Sequence, residues 1–148
     1  MSTGTVRAVC LSAERGVPKL DQGNGYLKED FGLLGDAHAG PGKRQVSILL
    51  EQHLAAVVEK LGRKPAPGSF AENLLVSGLP DSDLEEGTLL RAGEAVVEIT
   101  ATGKDAAEEH TYAYEGFSLL AERGLFGRVL KGGWVKIDDP VVVERAKG

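Results

Sequence analysis

Short apolar runs separated by glycine, proline and acidic residues fill most of the chain, and this pattern predicts a mostly β protein. We predict strands at residues 6–11, 45–50, 88–90, 95–100, 134–137 and 141–143. Most of these segments contain β-branched residues and are flanked by residues that favour turns. About six such strands indicate a barrel or a sandwich rather than a helical bundle.

Helical periodicity is clear between residues 50 and 62. The apolar positions of this segment are Leu50, Leu54, Val57, Val58 and Leu61. They would share one face of a helix, with Lys60 in its last turn and Gly62 placed to end it. We predict a second, shorter helix at residues 117–123, closed by Gly124. The connection at residues 63–68 contains two prolines and should be extended.

The size and composition of the chain fit one compact domain. It has 148 residues, of which 42% are hydrophobic, enough for a core that needs no disulfides. We therefore expect a single domain over residues 1–148. The only cysteine, Cys10, excludes an intramolecular disulfide and agrees with a reducing, cytoplasmic location. No apolar stretch reaches the roughly 20 residues of a membrane helix, and the N-terminus lacks the pattern of a secretory signal.

The charge distribution argues against nucleic acid as a partner. The formal net charge is -5 at pH 7, and the lysines and arginines form no tract. Proteins that bind nucleic acid through its phosphates need clustered basic residues. A small anionic ligand remains compatible with this net charge, because a cleft can be locally basic.

Residues 32–47 (GLLGDAHAGPGKRQVS) hold more glycine and polar residues than a packing element requires. They lead directly into a predicted strand, so we expect a loop at the end of that strand. The residues that can supply charge and hydrogen bonds to a ligand there are Asp36, His38, Lys43 and Arg44. Arg44 suits an anion best, because its donors form a planar fork. The alternative is a solvated surface turn.

Residues 68–78 (GSFAENLLVSG) place a polar pair between apolar residues. Glu72 and Asn73 are bracketed by Phe70 and Leu74, which favour burial. The carboxylate and the amide can tie neighbouring loops together at a ligand site. They can equally well bond main-chain groups in a turn.

Residues 100–114 (TATGKDAAEEHTYAY) contain the densest group of ionisable side chains. His110 titrates near neutrality, and Glu108 or Lys104 can tune it, so His110 is the natural general acid or base if the protein is an enzyme. The competing interpretation is an exposed helical turn with acidic residues at its start. A metal site would join His38 and His110 with Glu108 or Glu109, but the spacing does not favour one.

Cys10 falls in the first predicted strand, on the same face as Val6 and Ala8. A thiolate is well suited to carrying sulfur as a persulfide. Its place in an apolar strand nevertheless favours a buried, structural thiol.

Four segments, in this order, resemble the MOSC domain family, which is named after the C-terminal domain of molybdenum cofactor sulfurases. They are Cys10-Leu11-Ser12; Gly35-Asp36-Ala37-His38 leading to Arg44-Gln45-Val46-Ser47; Phe70-Ala71-Glu72-Asn73; and Phe126-Gly127-Arg128-Val129-Leu130-Lys131-Gly132-Gly133. The resemblance covers nearly the whole chain. It implies a β-barrel with a few helices, and a pocket, lined by these loops, for a pterin-type molybdenum cofactor or a related small molecule.

The resemblance also implies binding residues and a functional setting. Arg44, Glu72, Asn73, Lys104 and Arg128 match the family pattern and are carried over as pocket candidates. Family members are tied to sulfur transfer onto the cofactor, or to molybdoenzymes that reduce N-hydroxylated compounds. A molybdoenzyme would therefore be a natural partner.

One departure from the family pattern limits the chemistry. After a pair such as Gly103-Lys104, members of the family usually have a cysteine that is taken as the sulfur carrier. This chain reads DAAEEH at positions 105–110, with Ala106 in place of a reactive side chain. Persulfide transfer from this loop is therefore impossible.

These observations leave more than one function open. The preferred hypothesis is a domain that binds the molybdenum cofactor (molybdopterin) or a related sulfur-containing small molecule, with Asp36, His38, Arg44, Glu72, Asn73 and Arg128 as binding residues. The alternative is a lyase or hydrolase, for example one that cleaves a C–S bond, with His110, Glu108 and Lys104 as catalytic residues. A regulatory or scaffold domain with an empty pocket is a third interpretation.

Overall fold

The computed structural model describes residues 3–103 and 113–144, and within them the fold is a β-barrel. The strands are β1 (Thr3–Leu11), β2 (Leu20–Asp21), β3 (Asn24–Lys28), β4 (Gly32–Leu33), β5 (Val46–Leu50), β6 (Leu74–Ser77), β7 (Leu89–Ala92), β8 (Ala95–Thr102), β9 (Leu125–Lys131), β10 (Gly133–Lys136) and β11 (Pro140–Glu144). The helices are α1 (Leu54–Leu61) and α2 (Leu119–Arg123), with short 3-10 turns at Glu51–His53 and Asp81–Asp83. The prediction of a mostly β chain with a few helices is confirmed.

In the described part of the chain, seven strands close into the barrel in the order β1-β11-β7-β8-β9-β5-β6, with β6 returning to β1. The pairings are antiparallel except for β5 with β6, which is parallel. Strand β2 extends the sheet beside the end of β1, and β10, β3 and β4 form a separate three-stranded sheet. The start of β5, the start of β6 and the end of β1 therefore lie at the same end of the barrel.

Strict alternation of side chains fills the barrel. In β8, Ala95, Val97, Ile99 and Ala101 are buried, while the residues between them are half-buried. This is the period-two pattern of a sheet with one face toward a core. A second apolar cluster lies between the barrel wall and the helices, and it includes Leu49, Leu54, Val57, Phe70, Leu75 and Leu119.

A bulge in β1 places Val6 and Cys10 on different faces of the strand, whereas the sequence predicted one shared face. The pairing of β1 with β6 shifts register between Val6 and Ala8, which is an irregularity of the β-bulge type. Val6 consequently belongs to the barrel core, whereas Ala8 and Cys10 belong to the cluster under α1. The prediction that all three share a face was wrong for Val6, because one extra residue reverses the alternation. The predicted burial of Cys10 is confirmed.

All six predicted strands are present, with bounds that differ by up to three residues, but β2, β3, β4, β6 and β9 were not predicted. Strand β6 (LLVS) is a short apolar run that ends in a serine, and periodicity alone cannot distinguish such a run from other buried segments. Strand β9 contains Gly127, which the sequence presents as a turn residue. The barrel needs this glycine, because a Cβ there would overlap the Val97 side chain of β8.

Helix α1 ends as predicted at Gly62, whose φ of +74° is the left-handed conformation of a C-terminal cap. Helix α2 starts two residues later than predicted, because Phe117 pairs with Tyr114 in an isolated β-bridge. Gly124 follows α2 in an extended conformation, so it does not cap the helix in the left-handed way. In the part of the chain that the structure describes, no helix has the length and apolar character needed to cross a membrane.

Candidate small-molecule site

A buried lysine organises one side of the barrel end. The Lys19 ammonium donates to Oδ1 of Asp36 at 2.7 Å and to Nδ1 of His38 at 3.1 Å. Asp36 also accepts from the main-chain N–H groups of Ser12 and His38. The Lys19 and Asp36 side chains are almost fully withdrawn from solvent, whereas 43% of the His38 side chain is exposed. The cluster therefore presents only its histidine to a ligand.

The surroundings of this cluster lower the pKa values of both Asp36 and His38. Burial raises the pKa of Asp36. The hydrogen bonds that Asp36 accepts from Lys19, the Ser12 amide and Asn73 outweigh burial and bring the pKa below the ordinary aspartate value. Burial and the neighbouring positive charge of Lys19 lower the pKa of His38. His38 is consequently neutral at physiological pH, with an ion pair behind it.

Glu72 and Asn73 use their side chains to hold main-chain segments together. Glu72 accepts from the amides of Gly68 and Phe70 at 2.8 and 3.1 Å, and the left-handed φ of Ala71 (+68°) accompanies this tight turn. Burial nevertheless raises the pKa of Glu72. The sequence left main-chain bonding and ligand contact as alternatives, and the structure shows the main-chain bonds.

Asn73 joins three strands at their ends. Its Oδ1 accepts from the Ser47 amide at 3.0 Å, and its Nδ2 donates to the Cys10 carbonyl at 3.0 Å. Because Asn73 also lies close enough to Asp36 to lower its pKa, the loops that follow Gly35 and Phe70 meet here. The structure thus brings Asp36, His38, Glu72 and Asn73 close together. Their role in binding a ligand stays a prediction.

The two predicted arginines lie on the other side of the start of β5. The Arg44 guanidinium lies over the Phe126 ring, 5.5 Å from its centre. Arg128 on β9 donates from Nε to Asp30 at 3.0 Å. Gln45 links this group to the barrel, since its Nε2 donates to the Asp30 carboxylate and its Oε1 accepts from the Val129 amide.

A cavity of about 530 Å³ opens beside Arg128. Its lining includes Asp30, Lys43, Glu86, Glu98, Thr100 and Arg128. Its volume suits a small organic ligand. The Lys43 ammonium and the Glu98 carboxylate have no hydrogen bond or ion pair with another described residue, so both are available to a ligand. Of the residues that the sequence indicated for ligand contact, Lys43 and Arg128 line this cavity.

The predicted catalytic residues Lys104, Glu108 and His110 lie outside the described residues, as does the replaced position Ala106. Within the described ranges, no group of three or more His, Cys, Asp or Glu side chains is arranged to hold a metal ion. The metal set proposed from sequence also falls partly outside these ranges, because it required His110.

Lys19 is the site residue that sequence reasoning missed. Lysine is almost never fully buried unless it is paired, so a lone lysine between Pro18 and Leu20 gave no reason to expect burial. Its partner Asp36 lies 17 positions away along the chain. The available signal was the aspartate itself, which needs a cation if its loop packs against the barrel.

Comparisons with known proteins agree with this geometry. A profile of the MOSC domain matches residues 35–142. The structure resembles YuaD from Bacillus subtilis with a TM-score of 0.74 and 17% identity, over 99% of this chain and 100% of that one. It also resembles YiiM from Geobacillus stearothermophilus, with a TM-score of 0.69 and 19% identity over 95% of this chain and 75% of that one. YiiM from Escherichia coli gives a TM-score of 0.67 and 22% identity over 100% of this chain and 72% of that one.

No curated protein matches the sequence significantly. At identities below 25%, the structural likenesses show the fold alone. The matched profile, however, spans well over half of the chain and includes the Asp36, Asn73 and Arg128 segments. The chain therefore belongs to the MOSC domain family.

Proposed function

We propose that this protein binds the molybdenum cofactor, molybdopterin, or a related sulfur-containing small molecule, without transferring sulfur to it. The observation that carries the proposal is the cavity beside Arg128, whose lining includes Lys43 and Glu98, two charged side chains without an ion-pair partner among the described residues. Membership of the MOSC family, which takes its name from the cofactor sulfurases, supports the choice of ligand.

Lys43, Arg128 and Glu98 offer groups for the two ends of such a ligand, beside the Asp30 and Glu86 carboxylates that also line the cavity. Molybdopterin carries a phosphate and, at the other end, an aminopyrimidinone edge with N–H donors. Lys43 and Arg128 would hold the anionic end, because cations bind phosphate through charge-assisted hydrogen bonds. Glu98 would accept from the N–H groups of the pterin edge. When bound, the cofactor would supply redox chemistry at its molybdenum.

Glycines of the loop before β5 leave room for this ligand. Gly40 and Gly42 have φ of +148° and +129°, and a Cβ at either position would meet nothing within 4 Å. Main-chain N–H groups on such an open loop can approach a phosphate closely. Asp36 and Asn73 would act indirectly, by fixing the ends of this loop against β1 and β5.

Sulfur transfer is excluded by the cysteine content. Cys10 is the only cysteine in the sequence, and it is fully buried in the cluster under α1. Burial raises its pKa well above the ordinary value, and the negative charges of Glu72 and Asp21 add to the effect. A thiol that is neither exposed nor ionised cannot accept or donate a persulfide. In the proposed role, the protein would hold the cofactor, for instance for a molybdoenzyme partner.

Cofactor retention tests the proposal directly. The protein should be purified from cells that synthesise molybdopterin, and its molybdenum content and pterin fluorescence after oxidation should be measured. We expect a defined stoichiometry for the wild type and about tenfold less in Glu98→Gln and Lys43→Met, since a charged hydrogen bond contributes about 1.5–3 kcal/mol. The matched controls are Glu59→Gln and Lys60→Met, both on the exposed face of α1.

Two results would overturn the proposal. One is wild-type protein without pterin from cells that contain it, and the other is equal retention by the cavity variants and their controls. Release of thiol or sulfide from a small substrate, lost in His110→Ala, would instead support the lyase alternative.

A further inference from the structure

The position of Lys19 determines which nitrogen of His38 carries a proton. The Lys19 ammonium lies 3.1 Å from Nδ1 of His38 and 2.7 Å from Oδ1 of Asp36. An ammonium group has no lone pair, so Lys19, which is ion-paired with Asp36, can only donate to the histidine. Nδ1 must then offer its lone pair, because an N–H at this position would point at the ammonium.

We infer that His38 is held as the neutral tautomer with its proton on Nε2, so that it acts as a hydrogen-bond donor to an acceptor atom of a small molecule bound against its exposed face. Suitable acceptors are phosphate and carbonyl oxygens. In this state Nε2 has no lone pair for a proton or a metal ion. His38 is therefore a donor that recognises a ligand oxygen, and neither a general base nor a metal ligand through Nε2.

The charges that face His38 reinforce this state. Among the described residues, Lys19 and Arg15 oppose a positive charge on the imidazole, and Asp36 favours it from 4.0 Å. Burial acts in the same direction as the two cations and is the largest cause of the lowered pKa. The carboxylate is already shared between Lys19 and two main-chain amides, so it does not reverse the effect.

The accessible part of His38 is what allows it to meet a ligand. The Asp36 and Lys19 side chains are buried, while 43% of the His38 side chain remains exposed. The buried ion pair holds the imidazole of His38 in place before a ligand binds. Little conformational entropy is therefore lost on binding. Only the identity of the ligand rests on the proposed function; the tautomer itself does not.

Nitrogen NMR can test the tautomer without any ligand. In protein labelled with ¹⁵N-histidine, long-range proton–nitrogen correlations distinguish Nδ1–H from Nε2–H, and His38→Gln assigns the His38 signal among the three histidines. We expect Nε2–H at pH 7 and protonation only below the ordinary histidine pKa. In Lys19→Met/Asp36→Asn, which removes the ion pair without leaving one charge buried, His38 should show mixed tautomers and protonate at higher pH.

A wild-type His38 with Nδ1–H, or one that is charged at pH 7, would overturn the inference. If the double variant does not fold, the wild-type spectrum still decides. Titration with inorganic phosphate, whose oxygens are acceptors, provides a second readout, because a glutamine amide can replace the Nε2 donor and a glutamate cannot. His38→Gln should bind phosphate within about threefold of the wild type, and His38→Glu should lose about tenfold or more. Failure of retention in the wild type would count against the proposed function and leave the tautomer result standing.

Discussion

Nζ of Lys19 lies 2.7 Å from Oδ1 of Asp36, with both side chains almost completely buried. The pair connects the short strand β2 to the loop that follows β4, and it supports the exposed His38. Since a buried charge is costly unless it is compensated, each residue depends on the other. The following predictions examine this dependence and the geometry around it.

Removing one member of the buried pair should destabilise the protein strongly. Lys19→Met leaves the Asp36 carboxylate buried without its cation, so we expect a loss of about 3–5 kcal/mol in the free energy of unfolding. Lys19→Met/Asp36→Asn should lose much less. The control is the exposed pair of Arg91 and Glu144 at 2.7 Å, where Arg91→Met should cost about 0–1 kcal/mol. Urea unfolding measures all of these. A single variant as stable as the double would contradict the prediction.

The stability that Asp36 contributes should depend on pH. Its pKa is lowered in the folded protein, so the folded state binds the proton less readily than the unfolded chain does. The contribution is therefore complete above the ordinary aspartate pKa and is lost as pH falls through the lowered value. The difference in unfolding free energy between wild type and Asp36→Asn should shrink between pH 5 and pH 2. The exposed Glu59→Gln is the control, and a difference that stays constant with pH would refute the assignment.

Gly68 should not tolerate a side chain. Its φ is +87°, and a Cβ would overlap the main-chain carbonyl of Lys19 as well as approach Cys10. Gly62 has a similar φ of +74°, but a Cβ there would meet nothing within 4 Å. Gly62→Ala should therefore cost only the left-handed strain of about 1–2 kcal/mol, and Gly68→Ala clearly more. Thermal or urea unfolding compares the two, and equal losses would show that the close approach is unimportant.

Cys10 should be unreactive in the native protein. It is fully buried, and burial raises its pKa, so little thiolate is present or accessible. A colourimetric thiol reagent at pH 8 should modify the unfolded protein in guanidinium completely and the folded protein only as fast as it unfolds. Cys10→Ser should retain as much pterin as the wild type. Rapid native modification would contradict the assigned burial.

Local patterns were sufficient for the parts of this fold that depend on near neighbours along the chain. The run of β-branched residues at 95–100, flanked by turn residues, predicted β8, and helical spacing predicted α1, because both patterns reflect the local conformation of the chain. The order of the motif segments at Asp36, Asn73 and Arg128 indicated the MOSC family, and the profile match confirms it. The missing cysteine at Ala106 likewise follows from the sequence alone.

Tertiary structure decided what depends on distant contacts. The bulge between Val6 and Ala8 turned Cys10 away from the barrel core, and no local pattern specifies an extra residue in a ladder. The burial of Lys19 depends on Asp36, 17 positions away, because a charged side chain can leave water only where a partner and a surrounding wall are provided together. The sequence by itself thus determined six of the strands, helices α1 and α2, and the family. Only the closed barrel determined which polar residues are buried together and which ones stay exposed.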